Sequence, residues 1–180
     1  MTSMLEPEPV KVFVAVLWRD DAALAAAMQQ LVAQFGTIDH VGPDRPFDMT
    51  DYYEAEMGTS LQRRLVGFVA LRSPQNLADA KHACIAIESA LTGASGRSVN
   101  LDIGYLDHNK IVLASVKAAG QKIYLSDGIY ADLVARYGQG RYQPFAWTFP
   151  DFKDGRFDEE LGVLRISYLA EMKVWRAQDR

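Results

Sequence analysis

An α+β fold is predicted for this chain, and three observations predict it. Short runs rich in β-branched and apolar residues alternate with segments whose apolar residues recur at helical spacing, in the order β-α-β-β-α-β over residues 10–106. Gly-bearing turns (AAGQ, SDG, YGQGR) then separate further strand-like runs over 107–152. A last amphipathic segment, 156–178, closes the chain. The first order is that of a ferredoxin-like split βαβ core, so the expectation is that core with an added antiparallel β extension and a C-terminal helix. A chain of 180 residues fits one domain, with residues 1–9 as a flexible N-terminus.

Each element has its own reason. Val10 to Trp18 (VKVFVAVLW) reads as a strand buried on both faces. Asp20 and Asp21 can cap the helix whose apolar line is Leu24, Met28, Leu31, Val32 and Phe35, and Gly36 closes it. Thr37 to Val41 is the second strand and Leu65 to Leu71 the third. Ser73 or Asn76 can cap the helix carrying Leu77, Ala80, Cys84, Ile87 and Leu91. Thr92 to Ser98 (TGASGRS) is a loop and Val99 to Ile103 the fourth strand. Lys110–Lys117, Lys122–Leu125, Ile129–Tyr137 and Tyr142–Thr148 are strands of the extension, read as an added β layer. Phe157, Leu161, Leu164, Tyr168, Leu169, Met172 and Trp175 share one face of the last helix.

Composition narrows the function classes. The chain is 49% hydrophobic and 23% charged, as in a soluble globular protein. Net charge is −4 and Lys and Arg are scattered, which argues against nucleic acid as a partner. No apolar run approaches the roughly 20 residues of a membrane span, and MTSMLEPEPV lacks a secretion signal, so no membrane partner and a cytoplasmic location are expected. Cys84 is the only cysteine, which excludes an intramolecular disulfide and a Cys-based zinc site. Its helical spacing makes it a packed, inert thiol. The histidines show no H-x-x-x-H or H-E-x-x-H spacing, and no P-loop or dinucleotide fingerprint is present.

The unusual residues gather in four blocks: PFDMTDYYEAEMG (46–58), VNLDIGYL (99–106), IYLSDGIYADL (123–133) and QPFAWTFPDF (143–152). Tyrosine, aspartate, glycine and proline at this density suit special turns and converging polar groups, so the four blocks are expected to meet at one binding site. In the first, Asp48, Asp51, Glu54 and Glu56 put four carboxylates in nine residues. A short helix capped by Thr50 or Asp51 accounts for them through the helix dipole. Alternatively Asp48 and Asp51 present oxygens to a divalent metal or a cationic group. Of Tyr52 and Tyr53, one faces the core and the other a pocket or interface. Of the adjacent pair Arg63–Arg64, one faces each side of a strand, as a structural ion pair or an anion clamp. Asp102 and Tyr105 bracket Gly104, which fits either a positive φ or a close backbone approach. Ser115 and Lys117 share a strand face, where Lys can hold an anion; a Ser–Lys nucleophile is the weaker reading, in the absence of G-x-S-x-G or S-x-x-K. Trp147 and Asp151 lie on an aromatic, proline-stiffened segment that caps the sheet or walls a ligand.

PFDMTDYYEAEMG at 46–58, Arg63–Arg64, NLDIGYL at 100–106, KIVLASVK at 110–117, KIYLSDGIYADL at 122–133 and WTFPDF at 147–152 together resemble an uncharacterised family of small bacterial and archaeal proteins, classed only as a domain of unknown function. The likeness runs over nearly the whole chain, with a PFDxTDYYxxEMG block and a WTxPDF block as its marks. It implies no activity. Two positions depart from the pattern: Ile103 stands where a proline is expected, and Gln121–Lys122 where a basic pair is expected.

The reading that results is a cytoplasmic small-molecule-binding protein, with an enzymatic role left open. Its ligand is anionic, phosphate- or nucleotide-like, and is held among Asp48, Asp51, Tyr53, Arg64, Asp102, Tyr105, Lys117, Trp147 and Asp151, with Arg64 and Lys117 as the clamp. No cofactor is expected, and a divalent metal is the minor alternative. The second reading is a non-catalytic interaction module or homo-oligomer anchored by exposed tyrosines and Trp147.

Overall fold

The computed structural model describes residues 6–94 and 96–178. The first five residues of the expected flexible terminus, and residue 95 of the expected 92–98 loop, lie outside the described residues. The elements are β1 (Val10–Trp18), α1 (Asp21–Phe35), β2 (Ile38–Val41), β3 (Arg45–Pro46), α2 (Glu54–Met57), β4 (Gln62–Arg72), α3 (Leu77–Ala90), β5 (Val99–Leu106), β6 (Lys110–Ser115), β7 (Ile123–Ser126), β8 (Ile129–Gly138), β9 (Arg141–Pro144), α4 (Pro150–Lys153) and α5 (Asp158–Gln178).

Among the described residues nine strands form one sheet, ordered β2-β4-β1-β5-β6-β8-β7, with β3 beside β4 and β9 beside β8. Every pairing is antiparallel, so mixed helix and strand content resolves into an α+β fold. β1 lies near the middle and is buried along its whole length, as its unbroken apolar run requires. Val12, Val14, Val16 and Trp18 face a core shared with α1 and α3. Phe13 and Ala15 face a second core closed by α5. A small third cluster, Leu17, Met57 and Leu61 with Phe47 and Tyr53, roofs one end of the sheet.

Several local details follow the chemistry of the sequence. Asp20 caps α1 by accepting from the Ala23 N–H at 2.9 Å, and Gly36 ends the helix at φ 91°. Neither Ser73 nor Asn76 caps α3 through its side chain. Pro74–Asn76 forms a 3₁₀ turn instead, and the Pro74 carbonyl accepts from the N–H of Leu77, the first residue of the helix. Lys11 interrupts the apolar pattern of β1 and is fully buried; it pairs with Asp39 and with Glu171, which ties β1 and β2 to α5. Burial lifts the Glu171 carboxyl above its ordinary range despite this pairing.

The extension does not form a separate layer. β6, β8, β7 and β9 continue the same sheet beyond β5. The reason is the tight turn at Asp107, whose Oδ1 accepts from the N–H groups of Asn109 and Lys110 and folds β6 straight back onto β5. β9 stops at Pro144 rather than reaching Thr148. There the Thr148 hydroxyl accepts from the Phe145 N–H and donates to the Val134 carbonyl, which turns the chain away from the ladder.

Candidate functional site: a crevice between two splayed strands

β5 is paired with β1 along its full length, from Val99–Trp18 to Leu106–Lys11. Its other edge is paired with β6 only from Gly104–Leu113 to Leu106–Ile111. Continued in register, Asp102 would face Ser115 and Asn100 would face Lys117, but the ladder has ended. Gly104 marks the vertex: a Cβ there would lie 2.5 Å from the Val112 carbonyl oxygen and 2.6 Å from Leu113 Cδ2. Its φ is not positive, so close approach is what requires glycine.

Backbone groups left open at a strand edge need partners. α3 supplies them for Leu101. Its N–H donates to Glu88 Oε1 at 2.6 Å, and its carbonyl accepts from Lys81 Nζ at 2.8 Å. Beyond the vertex lies a cavity of about 430 Å³, within the range of small-molecule sites. All four unusual blocks reach it: Phe47, Tyr52 and Tyr53 from the first, Asn100 and Asp102 from the second, Asp132 from the third, Phe149 and Asp151 from the fourth. Ile85, Leu113 and Val116 complete the apolar wall.

The floor is an ion network. Arg63 is buried, with Asp102 at 2.7 Å and Asp151 at 3.1 Å, and its guanidinium lies near the rings of Phe47 and Phe152. Lys81 approaches Asp102 at 3.9 Å. Burial alone would raise the Asp102 carboxyl, but Arg63 and Lys81 outweigh it and hold it below the usual carboxylate range. Glu88 goes the other way: desolvation raises it, against the opposing pull of Lys81, the Leu101 N–H and Arg97. Arg97 joins Glu56 at 2.7 Å, Glu88 at 3.5 Å and Asn100 Oδ1 at 3.1 Å. Desolvation drives the Tyr53 phenol well above its ordinary value, so it stays a neutral hydroxyl.

The far wall differs. Lys122 donates to Ser115 Oγ at 2.8 Å and pairs with Asp132 at 3.4 Å. Asp132 is 2% exposed, yet its Oδ1 has no hydrogen-bond partner among the described residues. Lys117, at the mouth, donates to the Tyr52 hydroxyl and stands 3.8 Å from the centre of that ring. No carboxylate pairs with it among the described residues.

Of the nine residues singled out from sequence, Tyr53, Asp102, Lys117 and Asp151 line this cavity. Five do not. Arg64 faces the opposite side of the sheet, over the Trp18 ring and beside Asp44, so it is no part of a clamp with Lys117. Asp48 is exposed on a separate shallow groove with Arg45 and Arg156, and Asp51 is exposed with only its carbonyl engaged, by the Glu54 N–H. The two carboxylates do not converge, and no group of three or more His, Cys, Asp or Glu among the described residues is arranged to hold a metal. Thr50 accepts from the Tyr52 N–H rather than capping α2. Tyr105 packs against the core under α3. Trp147 stacks on Phe145 and donates its indole N–H to the Leu133 carbonyl at 2.8 Å. The lysine whose side chain reaches Ser115 is Lys122; Lys117 meets Ser115 through its backbone alone, its N–H donating to the Ser115 hydroxyl and its carbonyl accepting from it. Cys84 is buried, and desolvation lifts its thiol to about 12, as an inert core residue.

Fold and site together define an α+β protein whose single antiparallel sheet opens into a walled polar crevice. The chain belongs to the family described as Domain of unknown function (DUF4416), whose sequence model matches residues 8–168. Comparison with curated proteins and with solved structures gives no match. No helix among the described residues is long and apolar enough to cross a membrane.

Proposed function

We propose that the crevice between β5 and β6 binds a small anionic molecule with an apolar body, of phosphate- or nucleotide-like size, in the cytoplasm. One observation carries this reading: the far wall and its mouth leave two complementary vacancies. Asp132 offers a buried carboxylate oxygen without a donor, and Lys117 offers an ammonium without a carboxylate. Leu113 stands opposite Asp132 in the β6–β8 ladder, and Lys117 follows it four residues on, past the end of β6 at Ser115. A ligand with a hydrogen-bond donor at one end and an anionic group at the other would answer both. Its body would rest on Phe47, Ile85, Val116 and Phe149. Arg63 and Arg97 serve the walls rather than the anion, because carboxylates already engage both. The ferredoxin-like assignment of residues 10–106 belongs to the same proposal. It is supported by the order β2-β4-β1-β5, in which each helical crossover skips one strand.

A thermal-shift screen of nucleoside monophosphates and sugar phosphates tests the proposal. A true ligand at a hundredfold excess over its dissociation constant adds about 2.7 kcal/mol of stability. The same compound should lose its effect in Asp132→Leu, which offers no acceptor, and be weakened in Lys117→Met. A hit that stabilises both variants as much as the wild type would place the site elsewhere, and a screen without hits would remove the anionic reading.

A further inference from the structure

α5 turns a second face away from the sheet. Leu161, Leu164, Tyr168 and Met172 are buried, whereas on the opposite side Val163, Ile166 and Leu169 are 43, 70 and 39% exposed. Ile166 is the most exposed large hydrophobic side chain among the described residues. Gly162 shares this face, and nothing lies within 4 Å of where its Cβ would stand. Glycine weakens a helix interior, and no neighbour within the chain asks for it here. Close approach of another helix would.

The sequence around Ile166 is self-complementary. Val163 and Leu169 lie three residues before and after it, Gly162 and Ala170 four, Glu159 and Lys173 seven. All fall on one face of the helix, because these spacings are close to whole turns. A twofold axis through Ile166, with two copies of α5 antiparallel, sets Val163 on Leu169 and Gly162 on Ala170. It sets Ile166 on its own copy and Glu159 beside Lys173 at both ends. Neither Glu159 nor Lys173 has an ion pair or hydrogen bond of its side chain among the described residues.

We infer that this face is an isologous interface with a second copy of the chain, an antiparallel α5–α5 pair on an axis at Ile166. Apolar side chains fill its centre, small residues let the helices close, and two symmetric ion pairs fix direction and register. The crevice plays no part in it, so the two readings stand or fall separately.

Sedimentation velocity up to about 100 μM tests the inference, since a weak dimer has a dissociation constant in the micromolar range. The wild type should self-associate. Ile166→Lys, which sets two ammonium groups on the axis, should be monomeric with an unchanged circular dichroism spectrum. Glu159→Lys should raise the dissociation constant about tenfold, and Lys173→Glu added to it should restore the original value. Ile166→Cys should form a disulfide-linked dimer on mild oxidation, because only a residue on the axis meets its own copy; the wild type, with its thiol buried, should not. A monomeric wild type at the highest concentration overturns the inference. So does a dimer untouched by Ile166→Lys, or a self-associating Ile166→Cys protein that fails to cross-link.

Discussion

Arg63 and Lys117 approach the same cavity from different sides. Arg63, at the floor, has 7% of its side chain exposed and lies between Asp102 at 2.7 Å and Asp151 at 3.1 Å. Lys117, at the mouth, is exposed and rests on the ring and hydroxyl of Tyr52. The first cation is enclosed by opposite charge, so its role is to make a polar floor compatible with burial. The second has only a neutral partner, so its charge is free to act on something that arrives. A cation in a pocket therefore says little about ligands until its counter-ions have been counted. The two edges of β5 repeat the contrast. The edge against β1 is closed by eight successive residue pairs, while the edge against β6 is closed by three and then opens.

The largest effect should come from breaking the enclosed side. Arg63→Met strands Asp151 and leaves Asp102 with Lys81 alone, at 3.9 Å, and removing one partner of a buried pair costs about 3–5 kcal/mol. Urea denaturation at pH 7 measures it; a loss under about 1 kcal/mol would mean that the floor is wet and that the contrast with Lys117 is false. The pH dependence has a definite sign. The Asp102 carboxyl is held below its ordinary 3.8, so its contribution is present above that pH and is lost as the pH falls through the lowered folded value. In the variant, burial without Arg63 raises the Asp102 carboxyl. The deficit relative to wild type should therefore be widest at neutral pH and narrow on acidification.

Gly104→Ala addresses the vertex of the splayed strands. The added methyl would meet the Val112 carbonyl at 2.5 Å, and backbone cannot swing aside as a side chain can. A loss of about 1–3 kcal/mol is expected, as for overpacking elsewhere. Amide exchange should quicken at β6 more than at β1. Equal protection at both would show that β5 and β6 do not hinge at this residue.

Parts of this arrangement are legible in the sequence and parts are not, for physical reasons. The strand runs and helix stripes are visible because burial imposes periods of 2 and 3.6. The same period of 2 says that Arg63 and Arg64 face opposite sides of β4, but not which one meets the cavity. Leu65, Val66 and Phe68 are all fully buried, so neither face carries a polar mark that would tell them apart. Lys81 and Glu88 left a signal that charge concealed. They lie three before and four after Cys84, on the buried stripe itself, and they fill that stripe because the opened edge of β5 needs a donor and an acceptor. Asp132 is buried between the half-buried Ala131 and Leu133 of β8, and a charge among these apolar residues is a mark of the same kind. The point at which β5 parts from β6 is marked in the sequence only by Gly104, which fits a positive φ as well as a close approach, and the splay itself is set by packing between distant segments.

Glu88→Gln isolates the edge cap from its charge. Glutamine can still accept from the Leu101 N–H, and the net change at pH 7 should stay within about 1.5 kcal/mol. Burial raises the folded-state value of this carboxyl, so the wild type benefits from a protonated Glu88 below about 4.5 and loses that benefit as the pH rises through the raised value. The variant should gain on the wild type between acid and neutral pH. A constant difference would mean that Glu88 titrates as an ordinary carboxylate and that the crevice is more open to water than its walls suggest.

The smallest effect on stability is expected at Lys117, and it decides the other half of the comparison. Lys117→Met keeps the length of the side chain and its apolar contact with the Tyr52 ring while removing the charge. An exposed cation–π contact contributes about 0.5–1 kcal/mol, so the unliganded variant should lose no more than that in urea. No carboxylate is stranded, which is why the loss falls well short of that at Arg63. The consequence for binding is separate. If the ammonium meets an anionic group, its removal should cut affinity for any anionic hit several-fold or more, and the loss should shrink at high salt, where a charge at the mouth is screened in the wild type as well. Isothermal titration at two ionic strengths reads both numbers. A variant that is strongly destabilised would turn Lys117 into a second Arg63, a piece of scaffold. A variant that binds as well as the wild type at low salt would leave Tyr52 as the only partner of that charge.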